Sequence, residues 1–312
     1  MAAKESEKSI LLVGLVCLDI VSTCDEYPQE DQDKRALDQR WQRGGNAANQ
    51  ADVLAQLGMK VEFLGSLSDG NGADFAINTL QTRGISIGNC VVHKGFGFPT
   101  SCVTLSLATG SRTIVHYRQR GFPDVSCEDF IRLDLGNYHW VHFEARRDFS
   151  EIHKMLDLVD AFNLSRQRSD RIRISIELEK KHEKTLSLLH RADIVIISKD
   201  VAEYLGYDTG SAAVKGLYGG IKTGGILVCP WGALGADGMD AHGEMVHSPA
   251  YPPHQLKDTL GAGDTFIAGV FRSLYNGCRL EDALKLGCKL AGYKCGIEGY
   301  DGLGEVWAQI NQ

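Results

Sequence analysis

Four short apolar runs, Trp140–Phe143, Ile172–Leu178, Ile194–Ile197 and Ile226–Cys229, alternate with stretches of helical character near Ser150–Phe162, Glu183–His190 and Val201–Leu205. A run that is apolar at consecutive positions must be covered on both faces. A repeated strand–helix–strand order achieves this by laying strands parallel and wrapping helices on either side. The expected fold class is therefore α/β: a three-layer sandwich with a mostly parallel central sheet and helices on both faces. The runs end in Glu144, in Glu177 and Glu179, in Ser198-Lys199-Asp200 and in Pro230-Trp231-Gly232. Polar residues collect at the carboxyl rim of such a sheet when the rim binds a ligand. Any one of them reads equally well as a solvated strand end.

The segment Asp258-Thr259-Leu260-Gly261-Ala262-Gly263-Asp264-Thr265-Phe266 leads into an apolar-periodic run (Phe266, Val270, Leu274) and reads as a loop opening a helix. Glycines let backbone N–H groups approach an anion, and the helix presents its positive end there. Asp264 would repel that anion unless it takes a proton from a nucleophile attacking beside it, the pairing that phosphoryl transfer to a hydroxyl needs. The simpler alternative is an N-cap aspartate. A second loop, Arg43-Gly44-Gly45, opens a helix in which Asn46 and Asn49 stand three apart on one face, and Gly58 stops that helix. Paired amides that both donate and accept suit sugar hydroxyls. The alternative has Asn46 capping the helix and Asn49 as ordinary surface polarity.

Ile10 to Leu18 reads as one buried strand ending in Asp19, at the sheet rim. Its flank, with Lys4, Glu5, Glu7 and Lys8, lacks the character of a signal peptide, and the run is too short to span a bilayer. Val21 to Gln42 fits no helical period and reads as exposed strands and a loop. Thr100–Leu107 and Arg112–Arg118 flank Ala108-Thr109-Gly110-Ser111 as a hairpin. These two regions, about 20–42 and 99–122, are expected to pair into a small β lid on a single domain covering 1–312. Asp240–Met245 reads as a surface hairpin, and Thr265–Tyr275 and Leu280–Lys294 as closing helices.

A net charge of −7 argues against nucleic-acid or anionic-membrane partners. Nine cysteines without a C-x-x-C pair fit a reducing, cytoplasmic setting, and ten histidines without ligand spacing give no zinc site.

The Asp258–Phe266 string resembles the C-terminal signature of the PfkB, or ribokinase-like, family of carbohydrate and nucleoside kinases. Gly44-Gly45-Asn46 with Asn49, Gly58 and Gly65 resembles its N-terminal signature, and Gly232-Ala233-Leu234-Gly235 is similar to its nucleotide-contacting loop. Gln39 through Ala47, Gly110-Ser111-Arg112-Thr113-Ile114, Pro123-Asp124-Val125-Ser126, Ser198 through Ala202 and Cys288 through Asp301 look like the ketohexokinase group of that family, and the likeness runs from about Ile10 to Leu303. The resemblance implies a ribokinase-like fold and transfer of the ATP γ-phosphate to the 1-hydroxyl of D-fructose. Asp264 matches the general base, with Gly261, Ala262 and Gly263 as the anion hole. Asp19, Gly45, Asn46 and Asn49 match sugar-binding positions. Arg112, Lys199, Trp231, Gly232, Gly235, Pro252, Pro253 and Cys288 fall on the nucleotide side. Mg²⁺ with ATP, K⁺ as an activating cation and a homodimer clasped through the β lids are implied too, with Asp31 approaching the partner's site by analogy. The chain departs from the ketohexokinase pattern at Gly232-Ala233-Leu234, where acidic residues are usual, and shows no N-x-x-E magnesium motif, so the metal ligands stay unassigned. The competing expectations are another sugar or nucleoside kinase of the family and a non-catalytic sugar or nucleotide sensor.

Overall fold

The computed structural model describes residues 8–310; the charged flank Lys4, Glu5 and Glu7 lies outside them. In chain order the strands are β1 (Ser9–Val13), β2 (Cys17–Cys24), β3 (Asp38–Gly44), β4 (Val61–Leu64), β5 (Ser66–Leu67), β6 (Val91–Val92), β7 (Thr100–Ser106) and β8 (Arg112–Tyr117), then β9 (Tyr138–Ala145), β10 (Arg173–Leu178), β11 (Ile194–Ile197), β12 (Ile226–Pro230), β13 (Ala236–Met239) and β14 (Met245–Ser248). The α-helices are α1 (Asn46–Gln56), α2 (Asn71–Thr82), α3 (Cys127–Phe130), α4 (Phe149–Leu164), α5 (Lys199–Tyr204), α6 (Gly210–Leu217), α7 (Ala262–Tyr275), α8 (Leu280–Cys295) and α9 (Leu303–Ile310).

An eight-stranded sheet runs in the order β14-β13-β12-β11-β10-β9-β1-β4. The six strands from β12 to β4 are parallel, and β13 and β14 close one edge antiparallel. Side chains alternate across it. Ile10, Leu12, Phe63, Trp140 and Ile196 pack with α1, α2, α7 and α8, whereas Leu11, Val13, Phe143, Ile176 and Ile197 pack with α3 to α6. Near-continuous apolar strands thus feed two cores, as a buried parallel sheet requires. A separate sheet, β3-β2-β7-β8, carries the segments expected to form the lid.

The structure corrects the reading of Ile10–Leu18 as one strand. β1 stops at Val13, and β2 starts at Cys17 in the other sheet. A Cβ at Gly14 would collide with the Glu144 carboxylate, which accepts hydrogen bonds from Leu15 N (2.8 Å) and Ala47 N (3.1 Å). This carboxylate fixes the crossover between sheets, so Asp19 belongs to the lid sheet, not to the end of a central strand. Glu183–His190 forms a 3-10 turn, Thr185–Arg191, instead of an α-helix. Helix α6 has no clear sequence signal because Gly216 interrupts it; the Tyr207 ring occupies the space beside that glycine. The surface turn at 240–244 is present, but the strands it joins, β13 and β14, belong to the central sheet.

Candidate active site

On the α1/α7 face, β9 and β10 change from apolar to polar toward their carboxyl ends. Trp140 Nε1 donates to Ser175 Oγ at 2.8 Å, and His142 Nδ1 lies 2.8 Å from the same hydroxyl. One position further along each alternation stand Glu144 and Glu177, both buried. Glu177 accepts from Gln50 Nε2 (2.7 Å) and Asn46 Nδ2 (3.0 Å). The sheet therefore presents carboxylates to the N-terminal turn of α1.

Helix α7 brings Asp264 to the same place. Gly261 is its N-cap, at φ +77°, and no side chain caps the turn, so Asp264 is not the cap. The Tyr300 hydroxyl lies against Gly261 where a Cβ would be, so only glycine fits there. Ala262 N–H turns back to Thr259 O at 3.3 Å. First-turn amides of a helix have no intrahelical partner, which leaves those of Gly263 and Asp264 for an anion.

Asp264 Oδ2 accepts from Asn49 Nδ2 at 2.8 Å. Asn49 Oδ1 accepts from Arg43 Nη1 at 2.7 Å, and Arg43 Nη2 donates to Asp52 Oδ2 at 2.6 Å. Asn49 is 5% exposed, so it is not ordinary surface polarity. Burial pushes the Asp264 carboxyl up to about 8, opposed by the Asn49 hydrogen bond and reinforced by Glu179 and Glu144. Burial, with Asp264 next, also holds Glu177 well above the usual carboxylate range. A buried carboxyl with so raised an affinity for protons is suited to accept one.

Asp19 joins from the lid. Its carboxylate lies against the Cα of Gly44, and it accepts from Cys17 Sγ at 3.4 Å. Burial raises its pKa, with Ser101 opposing. Burial pushes the Tyr300 hydroxyl well above the usual phenol range, with the Asp264 charge next. Gly45, at φ +97°, abuts the Leu15 carbonyl and lets α1 start there. Gly45, Asn46 and Asn49 thus stand together at the start of α1, Asn49 bonded to Asp264 and Asn46 to Glu177, with Asp19 against the neighbouring Gly44.

The residues expected on the nucleotide side fall into separate contacts. Trp231 N donates to Gly235 O at 2.7 Å across the turn that holds Gly232, and Lys199 Nζ sits 5.4 Å from the Trp231 ring centroid. Gly235 and Cys288 both adjoin the Ser248 carbonyl, and Pro253 packs on Gly296 at the end of α8. Arg112 Nη1 donates to Thr259 Oγ1 at 3.2 Å, beside the α7 loop. Arg43 joins the same network as Asp264 through Asn49, and Lys294 Nζ donates to Asp258 at the start of the α7 loop. Periodicity gives no cue for Arg43, whose partners Asn49 and Asp52 lie on the helix that follows its strand, or for Lys294, whose partner Asp258 lies outside its own helix. No group of three His, Cys, Asp or Glu side chains able to hold a metal occurs among the described residues.

A family model described as pfkB family carbohydrate kinase matches residues 7–301. Ketohexokinase from Mus musculus is 44% identical over 297 residues, covering 95% of this chain and 99% of the mouse protein. Among solved structures, Arabidopsis thaliana ribokinase complexed with ribose and ATP superposes with a TM-score of 0.77 at 18% identity, covering 97% of this chain and 98% of that one. Adenosine kinase from Sinorhizobium meliloti gives 0.78 at 19% identity, covering 98% and 100%. The fold of these two structures is therefore the fold described above.

Proposed function

The chain belongs to the pfkB family of carbohydrate kinases, and from that premise we propose that it transfers the γ-phosphate of ATP to the 1-hydroxyl of D-fructose. The observation that carries this reading is the buried Asp264 carboxyl, held by Asn49 in the open first turn of α7. The name and 44% identity of the mouse relative support the choice of ketose.

In this reading Asp19, Gly45, Asn46 and Asn49 hold the sugar. Asn49 also orients the base through its Arg43-anchored amide. As the sugar oxygen bonds to the γ-phosphorus and the bond to the bridging oxygen breaks, ADP leaves and the hydroxyl proton passes to Asp264. The transition state is loose, with charge on the equatorial oxygens. The free first-turn amides, those of Gly263 and Asp264, stabilise that charge, and Arg112 lies close enough to the loop to contribute. Lys199, Trp231, Gly232, Gly235, Pro252, Pro253 and Cys288 border the nucleotide. The lid sheet over the sugar excludes water and limits ATP hydrolysis.

ATP is used with Mg²⁺. With no three-ligand cluster among the described residues, the side chains fit an ion carried on the nucleotide's phosphates with water, as Mg²⁺ usually binds. The ion supplies charge neutralisation at the phosphates, and K⁺ activation is part of the same proposal.

We further propose one kinase domain whose lid pairs with a second copy's lid. Trp41, Ile20, Cys102 and Val115 form one row across all four lid strands, with Val115 67% and Trp41 46% exposed. Asp31, the single non-glycine with positive φ among the described residues, lies in the loop between β2 and β3. All nine cysteines are free, which supports a cytoplasmic setting. No helix of the described residues is long and apolar enough to cross a membrane.

An ADP-release assay over D-fructose, ribose, tagatose, sorbose and adenosine tests the reading, with product NMR to locate the phosphate. Fructose 1-phosphate is the expected product. Turnover restricted to ribose or adenosine, or phosphate at the 6-hydroxyl, overturns the fructose 1-kinase assignment.

A further inference from the structure

Asp258 opens the α7 loop and is fully enclosed. Its Oδ1 accepts from Leu260 N at 2.8 Å, which fixes the turn leading to Gly261. Its Oδ2 and its carbonyl oxygen each accept from Lys294 Nζ at 3.0 Å, and neither side chain has any exposed surface. Lys294 lies near the end of α8, and its ammonium also sits 5.6 Å from the centroid of the Tyr300 ring, whose hydroxyl backs Gly261. An ammonium and a carboxylate taken out of water survive only as a paired, hydrogen-bonded set. That set clamps both ends of the turn that forms the anion hole.

A third charged group reaches the same carboxylate from the other sheet. Arg40, on β3 of the lid, donates from Nη2 to Asp258 Oδ2 at 3.0 Å. Two further contacts join the lid to this loop: Arg112 to Thr259, and Leu260 packed among Val21, Val103 and Leu105. Arg40, Asp19 and Gln42 occupy one face of the lid by strand register, Arg40 opposite Val21 and Gln42 opposite Asp19. The lid face that carries the sugar-side carboxylate is thus bolted to the loop that would carry the phosphate.

We propose that Arg40, Asp258 and Lys294 are positioning residues that couple sugar binding under the lid to nucleotide binding at the α7 loop. Lys294 and Asp258 set the loop, and Arg40 is the lid's handle on it. The inference rests on the sugar-kinase reading above and deepens it. A coupling between sites is reciprocal, so each ligand tightens the other by the same factor.

Calorimetric titrations of the full chain with D-fructose and a non-hydrolysable ATP analogue, each in the absence and presence of saturating amounts of the other, measure that factor. In the unaltered protein it is expected to be about five-fold or more. Arg40→Met should reduce it to less than two-fold and lower kcat while leaving analogue affinity without sugar close to normal. Arg40→Lys should restore part of it. Lys294→Met should weaken the analogue even without sugar. Should Lys294→Met fail to fold, the Arg40 pair still decides the matter, since Arg40 sits on a strand at the edge of the lid sheet. Full coupling in Arg40→Met, or turnover by the unaltered protein with no coupling at all, overturns the inference and leaves the kinase reading standing. Absence of both turnover and sugar binding in the unaltered protein overturns that reading and the inference with it.

Discussion

As the proposed base, Asp264 combines two demands that usually conflict: it must be ionised to accept a proton, yet it is enclosed, and burial raises its pKa to about 8 from the ordinary 3.8. The consequence for catalysis is a kcat/KM that climbs with pH and levels off above about 8, since kcat/KM reports groups of the free enzyme. A profile already flat from pH 6 would contradict it. For stability the sign is opposite. The folded state holds this proton more tightly than the unfolded chain, so the contribution is complete below about pH 3.8 and disappears as pH rises through about 8. Asp264→Asn should lose roughly 10²- to 10⁴-fold in kcat. Its thermal midpoint should gain on the parent as pH is raised from 5 to 9, because the penalty for a buried carboxylate is gone. Asp264 and Asn49 are legible in the sequence because each sits in a short glycine-marked string. Arg43 stands in the same string as Asn49, but its role in anchoring that residue is not legible: it lies in reaching Asp52 and Asn49 at once, which needs the end of β3 set against the folded α1.

Helices α7 and α8 meet through glycine. A Cβ on Gly287 would lie 2.7 Å from Phe266 O and 2.9 Å from Val270, and one on Gly269 would lie 2.9 Å from the Gly287 Cα. This close approach seats α7 against Trp140 and His142 through Phe271, with ring centroids 5.0 Å apart in both pairs. Gly287→Val should therefore force the helices apart and cost about 1–3 kcal/mol as an overpacked core, measured by denaturant unfolding. It should also lower kcat by displacing Asp264; a variant of full stability and activity would refute the packing argument. The helical periods of α7 and α8 can be read directly from the chain. The break between β1 and β2 cannot, because an apolar run looks the same whether it stays in one sheet or crosses to another. What ends β1 is the Glu144 carboxylate, a partner far along the sequence.

For the molecule as a whole, the two sheets have opposite economies. The parallel sheet is sealed on both faces, whereas the lid leaves Val115, Tyr117 and Trp41 substantially exposed. If the lid pairs with a second copy, Val115→Glu should convert a dimer to a monomer in sedimentation while leaving the thermal midpoint of the monomer nearly unchanged. A parent protein that sediments as a monomer at tens of micromolar would remove the clasp. The alternation of strands and helices makes the layered architecture readable from sequence, and the pairing of β2 with β7 is much less so, since parallel partners so far apart carry no local turn signal.

The order in which the chain leaves the ribosome gives the position of Asp264 a further meaning. Strand β1 is made first but lies between β4 and β9, and the face bearing Ile10, Leu12 and Trp140 is covered in part by α7 and α8, which emerge late. Until they arrive, a nascent chain holds the proposed sugar-side groups and an incompletely sealed apolar face but not the proposed base. Completion of the core and arrival of the proposed base, Asp264, are one event, so a chain interrupted before α7 should lack both and be exposed to quality control.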